Sequence, residues 1–242
     1  MSASLFELLA SRFPAERSAP CFILSDGREI SYGALASAAA RVAARLIADG
    51  VRPGDRVALQ AEKSPEVIMV YLGVLMAGAV FVPLNAAYTR TEIDYFLGDA
   101  EPKVFITDPP AFVRDTEGAE MLAHPIPREA GDLASLIYTS GTTGRSKGAM
   151  LSHGNIVCNV QQAGALFSTY PFREGEELLV LPLPLYHIYA FNACMTMMAR
   201  GCHTVLIPNP RDLQSLVAAF REFRPSGFAG LNTLFVALCN DD

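Results

Sequence analysis

The sequence lacks an excess of positive charge. Its 242 residues contain 19 lysines and arginines against 25 aspartates and glutamates, which gives a formal net charge of −6. This balance excludes a general electrostatic attraction to nucleic acid or to an anionic membrane surface. A phosphate-bearing ligand must therefore be held by the local geometry of a binding loop.

The sequence also lacks paired cysteines, a targeting signal and an uninterrupted apolar run. The five cysteines form an odd number without a Cys-x-x-Cys pair, which argues against a disulfide framework and a structural zinc site. Residues 67–84 carry no charge and reach the length of a candidate membrane span, but Gly73, Gly78 and Pro83 interrupt them. We therefore predict a buried helix that begins at Pro65, a buried strand after it, and no transmembrane segment.

Apolar residues make up 51% of the chain and charged residues 18%, a composition that excludes a disordered protein. Helical and strand patterns alternate along nearly the whole chain. This alternation predicts the α/β class, with largely parallel sheets flanked by helices. The proline-rich residues 108–130 are weakly periodic, and we predict a surface connection with one turn of helix there.

The segment from Tyr138 to Gly148, Tyr-Thr-Ser-Gly-Thr-Thr-Gly-Arg-Ser-Lys-Gly, follows a predicted apolar strand. Its glycines let backbone N–H groups approach a ligand, its hydroxyl groups add donors, and Lys147 adds a point charge suited to phosphate oxygens. The spacing differs from the P-loop, in which the lysine directly follows a glycine, and from Gly-x-Gly-x-x-Gly. The segment therefore predicts a polyphosphate-binding loop of another type.

This segment resembles the phosphate-binding motif of the acyl-adenylate-forming (AMP-binding) superfamily, and the resemblance to its acyl-CoA synthetase branch extends over nearly the whole chain. Residues 62–89 and 99–103 look most like malonyl-CoA synthetases. The part from about Leu179, with Leu-Pro-Leu-Tyr-His at residues 183–187, looks most like bacterial long-chain fatty-acyl-CoA synthetases. The resemblance implies the N-terminal portion of the adenylate-forming enzyme fold.

The resemblance also implies a reaction in two steps. A carboxylate attacks the α-phosphate of ATP to give an acyl-adenylate, and the thiol of coenzyme A then takes the acyl group. ATP, Mg²⁺ and coenzyme A are thus implied, with a small carboxylic acid as substrate. Lys147 would be catalytic because it neutralises the leaving pyrophosphate, and Thr142 would contact the metal. The implied phosphate-binding residues are Thr139, Ser140, Gly141, Thr142, Thr143, Gly144 and Lys147.

His187 belongs to a second implied site. Taken alone, a histidine in an apolar run is more often a satisfied core residue, but the resemblance puts its segment at the acyl and nucleotide site and implies that His187 is catalytic. The implied substrate-binding residues are Tyr186, His187, Tyr189, Gly230 and Asn232. His153 and Asn155 are predicted to begin a helix rather than to act in catalysis. The methionines of residues 191–198 belong either to the core or to an adaptable apolar pocket.

The resemblance favours a fatty acid as the substrate, because Ala237 stands where malonyl-CoA synthetases have an arginine for the second carboxylate. A malonyl-CoA synthetase and a carrier-protein adenylation domain are alternatives of the same class. A catalytically inert phosphate-binding fragment is an alternative of another class.

Members of this family are much longer than 242 residues. We therefore expect residues 1–242 to be part of the large N-terminal domain, with a candidate subdomain boundary around residues 108–132 and without the C-terminal domain. Such a chain is not expected to complete adenylation alone. Apolar surface that the rest of the protein would cover predicts self-association. We expect a cytoplasmic location, with peripheral membrane association if the acyl substrate is long.

Overall fold

The computed structural model describes residues 4–139, 146–167, 171–209 and 211–240, and helices and strands alternate through them as predicted. The strands are β1 Pro20–Leu24, β2 Glu29–Ser31, β3 Arg56–Gln60, β4 Val80–Leu84, β5 Val104–Ile106, β6 Leu133–Thr139, β7 Lys147–Ser152, β8 Leu178–Leu181, β9 His203–Leu206 and β10 Gly227–Phe228. The helices are α1 Leu5–Arg12, α2 Tyr32–Ala48, α3 Pro65–Met76, α4 Arg90–Ala100, α5 Pro109–Arg114, α6 His153–Phe167, α7 Ile188–Met198, α8 Leu213–Phe223 and α9 Asn232–Cys239.

These strands form two five-stranded sheets within the described ranges. The first sheet has the order β10-β8-β9-β1-β2, and the second has the order β5-β3-β4-β6-β7. Neighbouring strands are parallel except in the hairpins β1–β2 and β6–β7. The predicted α/β class with largely parallel sheets is therefore confirmed. Because β8 and β10 are parallel, the segments that follow these two strands begin at the same end of the first sheet, the carboxyl end of the strands.

Helix α3 lies at the centre of the hydrophobic core, and nearly all of its residues are buried. The Tyr71 ring on this helix lies 4.9 Å from the Phe81 ring on β4 and 4.8 Å from the Phe191 ring on α7, measured between centroids. Helix α3 thus packs against strand β4 of the second sheet and against helix α7, which follows β8 of the first sheet. No helix in the described part of the chain is long and apolar enough to span a membrane, because the apolar run of residues 67–84 is divided between α3 and β4.

The close crossing of α2 and α3 depends on Gly73. A Cβ atom at this position would lie 2.4 Å from Cγ1 of Val42 and 3.0 Å from the carbonyl oxygen of Ala39, both on α2. Real Cβ atoms do not come this close to other atoms, so the hydrogen at Gly73 is what lets the two helices meet.

Strand β7 is the main element that the sequence-based prediction missed. That prediction has the glycine-rich loop followed directly by a helix that begins near Ser152. β7 is an edge strand whose side chains are exposed or half-buried, so it lacks the alternation by which a strand is recognised. The predicted surface connection at residues 108–130 contains the six-residue helix α5. It is also tied to the core helices, because the N–H of Leu122 donates to the carbonyl of Ala40 and that of Ile126 to the carbonyl of Met76.

Candidate functional site

The predicted phosphate-binding segment lies in the β6–β7 hairpin. Thr139, the last residue of β6, pairs in antiparallel register with Lys147, the first residue of β7, and both residues are exposed. Paired residues of antiparallel strands have Cα atoms about 4.5–5.5 Å apart, so Thr139 and Lys147 form the base of one loop. The other predicted phosphate-binding residues lie outside the described residues, including the predicted metal contact Thr142; they are Ser140, Gly141, Thr142, Thr143 and Gly144.

Helix α4 holds both arms of this hairpin. The hydroxyl group of Tyr138 on β6 donates to Oδ2 of Asp99 over 2.5 Å, and that of Tyr95 donates to the carbonyl oxygen of Ser146, just before β7, over 2.9 Å. Burial and the hydrogen bond to the Asp99 carboxylate raise the pKa of Tyr138, which therefore keeps its proton and remains a donor. The two ends of the loop are thus fixed independently of a bound ligand.

The second predicted site surrounds the start of α7, shortly after the carboxyl end of β8. His187 is the N-cap residue of α7 and is exposed, which excludes a buried core histidine. The half-buried Tyr186 has its ring 4.7 Å from the imidazole ring of His187. Tyr189 in the first turn of α7 is 49% exposed. The three predicted substrate-binding side chains of this segment are therefore close to one another and accessible.

Aromatic side chains pack in a row beside the hairpin. Burial, the Glu92 carboxylate and the neighbouring Tyr186 raise the pKa of Tyr88. The Tyr88 ring lies 4.8 Å from the Phe96 ring, and Phe96 lies 4.5 Å from the ring of Tyr138. The rings of Tyr88, Phe96 and Tyr138 thus form a row that starts at the hairpin.

Lys63 is a residue of this region that the sequence analysis did not assign to the site. Its ammonium group is buried and donates to the carbonyl oxygens of Leu181 and Leu183, over 2.9 Å and 3.0 Å. Lys63 follows β3 of the second sheet, whereas Leu181 ends β8 of the first. The contact holds the backbone that leads to His187. A lone lysine before a helix gives no signal for such a bond.

The third predicted segment contains Gly230 and Asn232 and follows β10, so it begins at the same end of the first sheet as the His187 segment. This strand pairs in parallel with β8, and the N–H of Ala229 donates to the carbonyl of Val180 over 3.2 Å. Gly230 follows directly, and a Cβ atom there would lie 2.8 Å from Cε1 of Phe228. Asn232 is the exposed first residue of α9. Gly230 and Asn232 thus lie near the carboxyl end of the parallel strands, where the His187 segment also begins.

A cavity of about 750 Å³ lies between α6, α7, β8 and β10. This volume is within the range of about 300–1,000 Å³ that is typical of small-molecule sites. Its lining is largely apolar and includes Tyr189, Ala193 and Met197 of α7. Met195 and Met198 are buried in the hydrophobic core instead. Both interpretations of the methionine cluster are therefore partly correct, since Met197 alone of these three lines the cavity.

His153 and Asn155 begin a helix, as predicted. His153 is the buried first residue of α6, and its Nδ1 accepts a hydrogen bond from the N–H of Leu5 over 3.1 Å. Burial lowers the pKa of His153 to about 4, so the ring is neutral near pH 7. Oδ1 of Asn155 accepts hydrogen bonds from the N–H and the hydroxyl group of Ser152. Across the described ranges, no group of three or more His, Cys, Asp or Glu side chains is arranged to hold a metal ion.

In the described part of the chain, these features define an α/β protein whose β6–β7 hairpin carries a glycine-rich segment and whose first sheet borders a cavity. The sequence profile of the AMP-binding enzyme family matches residues 6–242. The chain therefore belongs to the AMP-binding enzyme family.

Individual relatives agree with this assignment. A long-chain-fatty-acid–CoA ligase of Salmonella typhimurium is 29% identical, over 98% of this chain and 52% of its own length. A feruloyl-CoA synthase of Amycolatopsis sp. is 32% identical, over 88% of this chain and 45% of its own length. The crystal structure of apo MatB from Rhodopseudomonas palustris, a malonyl-CoA synthetase, superposes with a TM-score of 0.87 at 33% identity, over 100% of this chain and 51% of that one. The chain spans about half the length of the curated relatives it matches.

Proposed function

We propose that this chain is the part of an ATP-dependent acid–thiol ligase that holds the phosphates of ATP and the acyl group of a carboxylic acid. The observation that carries the proposal is the pairing of Thr139 with Lys147 at the base of the glycine-rich segment, in a chain of the AMP-binding family. The names of two relatives, a long-chain-fatty-acid–CoA ligase and a feruloyl-CoA synthase, support the acid–thiol ligase class. A structure of ATP-bound MatB, with a TM-score of 0.87, supports the nucleotide.

The hairpin residues act on the phosphates. Mg-ATP, when bound, supplies the electrophilic α-phosphate and pyrophosphate as the leaving group. The charge that develops on the leaving oxygens is neutralised by Lys147 and by hydrogen-bond donors of the loop. These donors are the Thr139 hydroxyl group and the backbone N–H groups of Ser140, Gly141, Thr142, Thr143 and Gly144. Tyr138 and Tyr95 fix the ends of the loop, so less ordering is required when the nucleotide binds.

The carboxylic acid lies at the carboxyl ends of β8 and β10 in the first sheet. His187 and Tyr186 contact the substrate carboxylate, with Gly230 and Asn232 on the neighbouring segment. The acyl group extends past Tyr189 into the cavity. Arg173 is the cationic side chain of the described cavity lining, and it is paired with Glu176 over 2.8 Å. The described part of the lining therefore offers no unpaired cation for a second carboxylate, which favours a monocarboxylic acid such as a fatty acid over malonate.

Several finer assignments belong to the same proposal. Thr142 would hold Mg²⁺, which would neutralise charge on the phosphates, and coenzyme A would accept the acyl group. Residues 1–242 form part of the large domain of a longer cytoplasmic enzyme, with a subdomain boundary around residues 108–132. Adenylation requires the remainder of that enzyme, so this chain alone binds Mg-ATP without turning it over.

Calorimetric titration with Mg-ATP tests the proposal. We expect the wild-type chain to bind and Lys147→Ala to bind about tenfold or more weakly, because a hydrogen bond to a charged group is lost. Lys103→Ala is the matched control. Lys103 is exposed and directly precedes β5, so it lies at the amino end of the parallel strands of the second sheet. The glycine-rich segment follows the carboxyl end of β6, at the opposite end of that sheet. Equal affinities of the wild-type chain and Lys147→Ala would contradict the role assigned to Lys147, and no binding by either would contradict the proposed function.

A further inference from the structure

The described helices and strands form two units with the same order of elements, one over residues 20–114 and one over residues 133–239. Each unit begins with a hairpin and continues as helix, strand, helix, strand, helix, strand and helix. Each hairpin also completes the sheet of the other unit, because β6 pairs with β4 and β1 pairs with β9. The strands β5 and β10 are therefore counterparts, as are the helices α5 and α9 that follow them.

The backbone repeats this correspondence at matching positions. Glu101 after α4 and Arg224 after α8 are both C-cap residues in the left-handed region, with φ of 44° and 45°. They lie 123 positions apart, and each is followed by proline. The same shift aligns Phe112-Val113 of α5 with Phe235-Val236 of α9. The two helices thus carry the same apolar pair at the same place in the unit.

Helix α5 covers the first unit on the side of α2 and α3. It packs against α3, and Val113 is buried in the core cluster to which α2 and α3 belong. The guanidinium carbon of Arg45 on α2 lies 5.6 Å from the centre of the Phe112 ring. The Phe112–Val113 pair therefore docks where α2 and α3 border β5.

Helix α9 lies on the other face of its sheet. Its buried residue Leu234 packs in the cluster that contains Val180 of β8, Val205 of β9 and residues of α8. Phe235 is 45% exposed and Val236 is 60% exposed. The cavity of about 750 Å³ lies between α6, α7, β8 and β10, which are the counterparts of α2, α3, β3 and β5. The cavity thus corresponds to the place that α5 covers in the first unit.

The cavity stays open because α6 and α7 cannot cross as closely as α2 and α3. Gly73 and Thr196 are each the ninth residue of their helices, α3 and α7. Thr196 borders the cavity and has the Cβ atom that the α2–α3 crossing excludes, since a Cβ atom at Gly73 would lie 2.4 Å from Cγ1 of Val42. The wider spacing of α6 and α7 leaves room for a docked side chain.

The connector before α9 has the same length as the connector before α5. Thr107 and Asp108 lead into α5, and Gly230 and Leu231 lead into α9 at the corresponding positions. A connector of this length therefore reaches either face of the sheet. A Cβ atom at Gly230 would lie 2.8 Å from Cε1 of Phe228 and 3.1 Å from Cζ of Phe235. The present position of α9 thus depends on glycine where the first unit has threonine.

We propose that α9 is an autoinhibitory lid with a second position, in which Phe235 and Val236 dock into the cavity as Phe112 and Val113 dock in the first unit. The present position exposes Phe235 and Val236, and the docked position exposes Leu234 instead. The apolar area buried by the helix is therefore similar in both positions, as a two-state element requires. The docked helix occupies the cavity and excludes any other ligand from it. The inference goes beyond the proposed function and does not depend on which ligand the cavity takes.

Disulfide trapping tests the docked position. Cys158→Ser and Cys239→Ser first remove two exposed native thiols. In this background, Ala193→Cys on the cavity wall of α7 is combined with Val236→Cys, and oxidised glutathione is added. We expect an intramolecular disulfide to form about tenfold faster than in the control pair Met121→Cys and Val236→Cys. A docked population of about 0.1–10% is sufficient, because the disulfide accumulates as the position is visited.

Fluorescence provides a second measurement that needs no cross-link. The chain contains no tryptophan, so Phe235→Trp introduces a single indole on α9. Adding Gly230→Thr, the counterpart residue of the first unit, should shift the helix to the docked position. We then expect a blue shift of the emission and a loss of acrylamide quenching. Ala193→Phe, which fills the cavity, should abolish both changes, and thermal unfolding checks that each variant is folded.

Equal disulfide rates in the two cysteine pairs would overturn the inference. Disulfide-linked dimers in place of the intramolecular product would assign the docking to a second copy of the chain and would also overturn it. The same holds if the emission of Phe235→Trp is unchanged by Gly230→Thr in a folded variant. Mg-ATP binding is measured separately, so failure of the lid leaves the proposed function standing.

Discussion

Lys63 donates a hydrogen bond to the carbonyl oxygen of Leu183 over 3.0 Å, and this bond joins the loop after β3 to the segment that carries His187. A second bond from the same ammonium group, to Leu181 over 2.9 Å, fixes the end of β8. The two acceptors are backbone carbonyls, and no carboxylate among the described residues is within ion-pair distance of Lys63. The lysine therefore holds the segment that leads to His187 in place at the cost of burying a charge.

The first prediction concerns the pH dependence of stability. Burial lowers the pKa of Lys63 from its ordinary value of 10.5 to about 7. Between these values the unfolded chain binds more protons than the folded chain, so the free energy of unfolding rises with pH. Relative to Lys63→Met, we expect the wild-type chain to gain about 2 kcal/mol between pH 7 and pH 9. Urea unfolding at the two pH values measures the difference, and parallel pH profiles of the two proteins would contradict it.

The second prediction concerns the support of the β6–β7 hairpin, to which we assign phosphate binding. Tyr138→Phe removes the hydrogen bond to Asp99, and we expect a loss of about 1 kcal/mol in stability and about fivefold in Mg-ATP affinity. Tyr32→Phe is the control, because it removes the 2.6 Å bond from the Tyr32 hydroxyl group to the carbonyl of Cys202, next to the first sheet. The control should lower the unfolding temperature and leave the Mg-ATP affinity unchanged. Equal effects of the two variants on Mg-ATP affinity would show that Tyr138 acts only through global stability.

The third prediction compares two glycines in helices. At Gly73 a Cβ atom would lie 2.4 Å from Cγ1 of Val42, whereas nothing lies within 4 Å of a Cβ atom at Gly98 in α4. We expect Gly73→Ala to destabilise the chain by about 1–3 kcal/mol through overpacking. Gly98→Ala should stabilise it by about 0.5–1 kcal/mol, because alanine loses less backbone entropy in a helix. Chemical denaturation measures both, and a neutral or stabilising Gly73→Ala would refute the close crossing of α2 and α3.

The fourth prediction concerns self-association through α9. Phe235 and Val236 on this helix are 45% and 60% exposed, and Leu231 just before it is 52% exposed. We expect the chain to associate as its concentration rises, because such a cluster favours contact with another apolar surface. Phe235→Glu should shift sedimentation toward the monomer. Met121→Glu is the control at a 52% exposed apolar residue in another part of the chain, and an equal shift there would assign the effect to net charge.

Local signals in the sequence predicted much of the secondary structure. Thr89 and Glu92 form a capping box at the start of α4, and the sequence indicates it because both partners lie within one helical turn. The run after Ser64 divides into α3 and β4 because Gly78, with a φ of +71°, interrupts the helix. β7 was missed because an exposed edge strand lacks a periodic apolar pattern. The roles of the candidate site residues remain predictions, and the accessible position of His187 is what the structure adds to them.

The sequence by itself determined the α/β class and the family and predicted a phosphate-binding segment, because each depends on residue types at short spacing. Only the tertiary structure decided which distant residues meet. Lys63 binds carbonyl groups 118 and 120 residues away, and Tyr138 bonds to Asp99 39 residues before it. Burial and partnership are properties of the packed chain, so no local pattern specifies them.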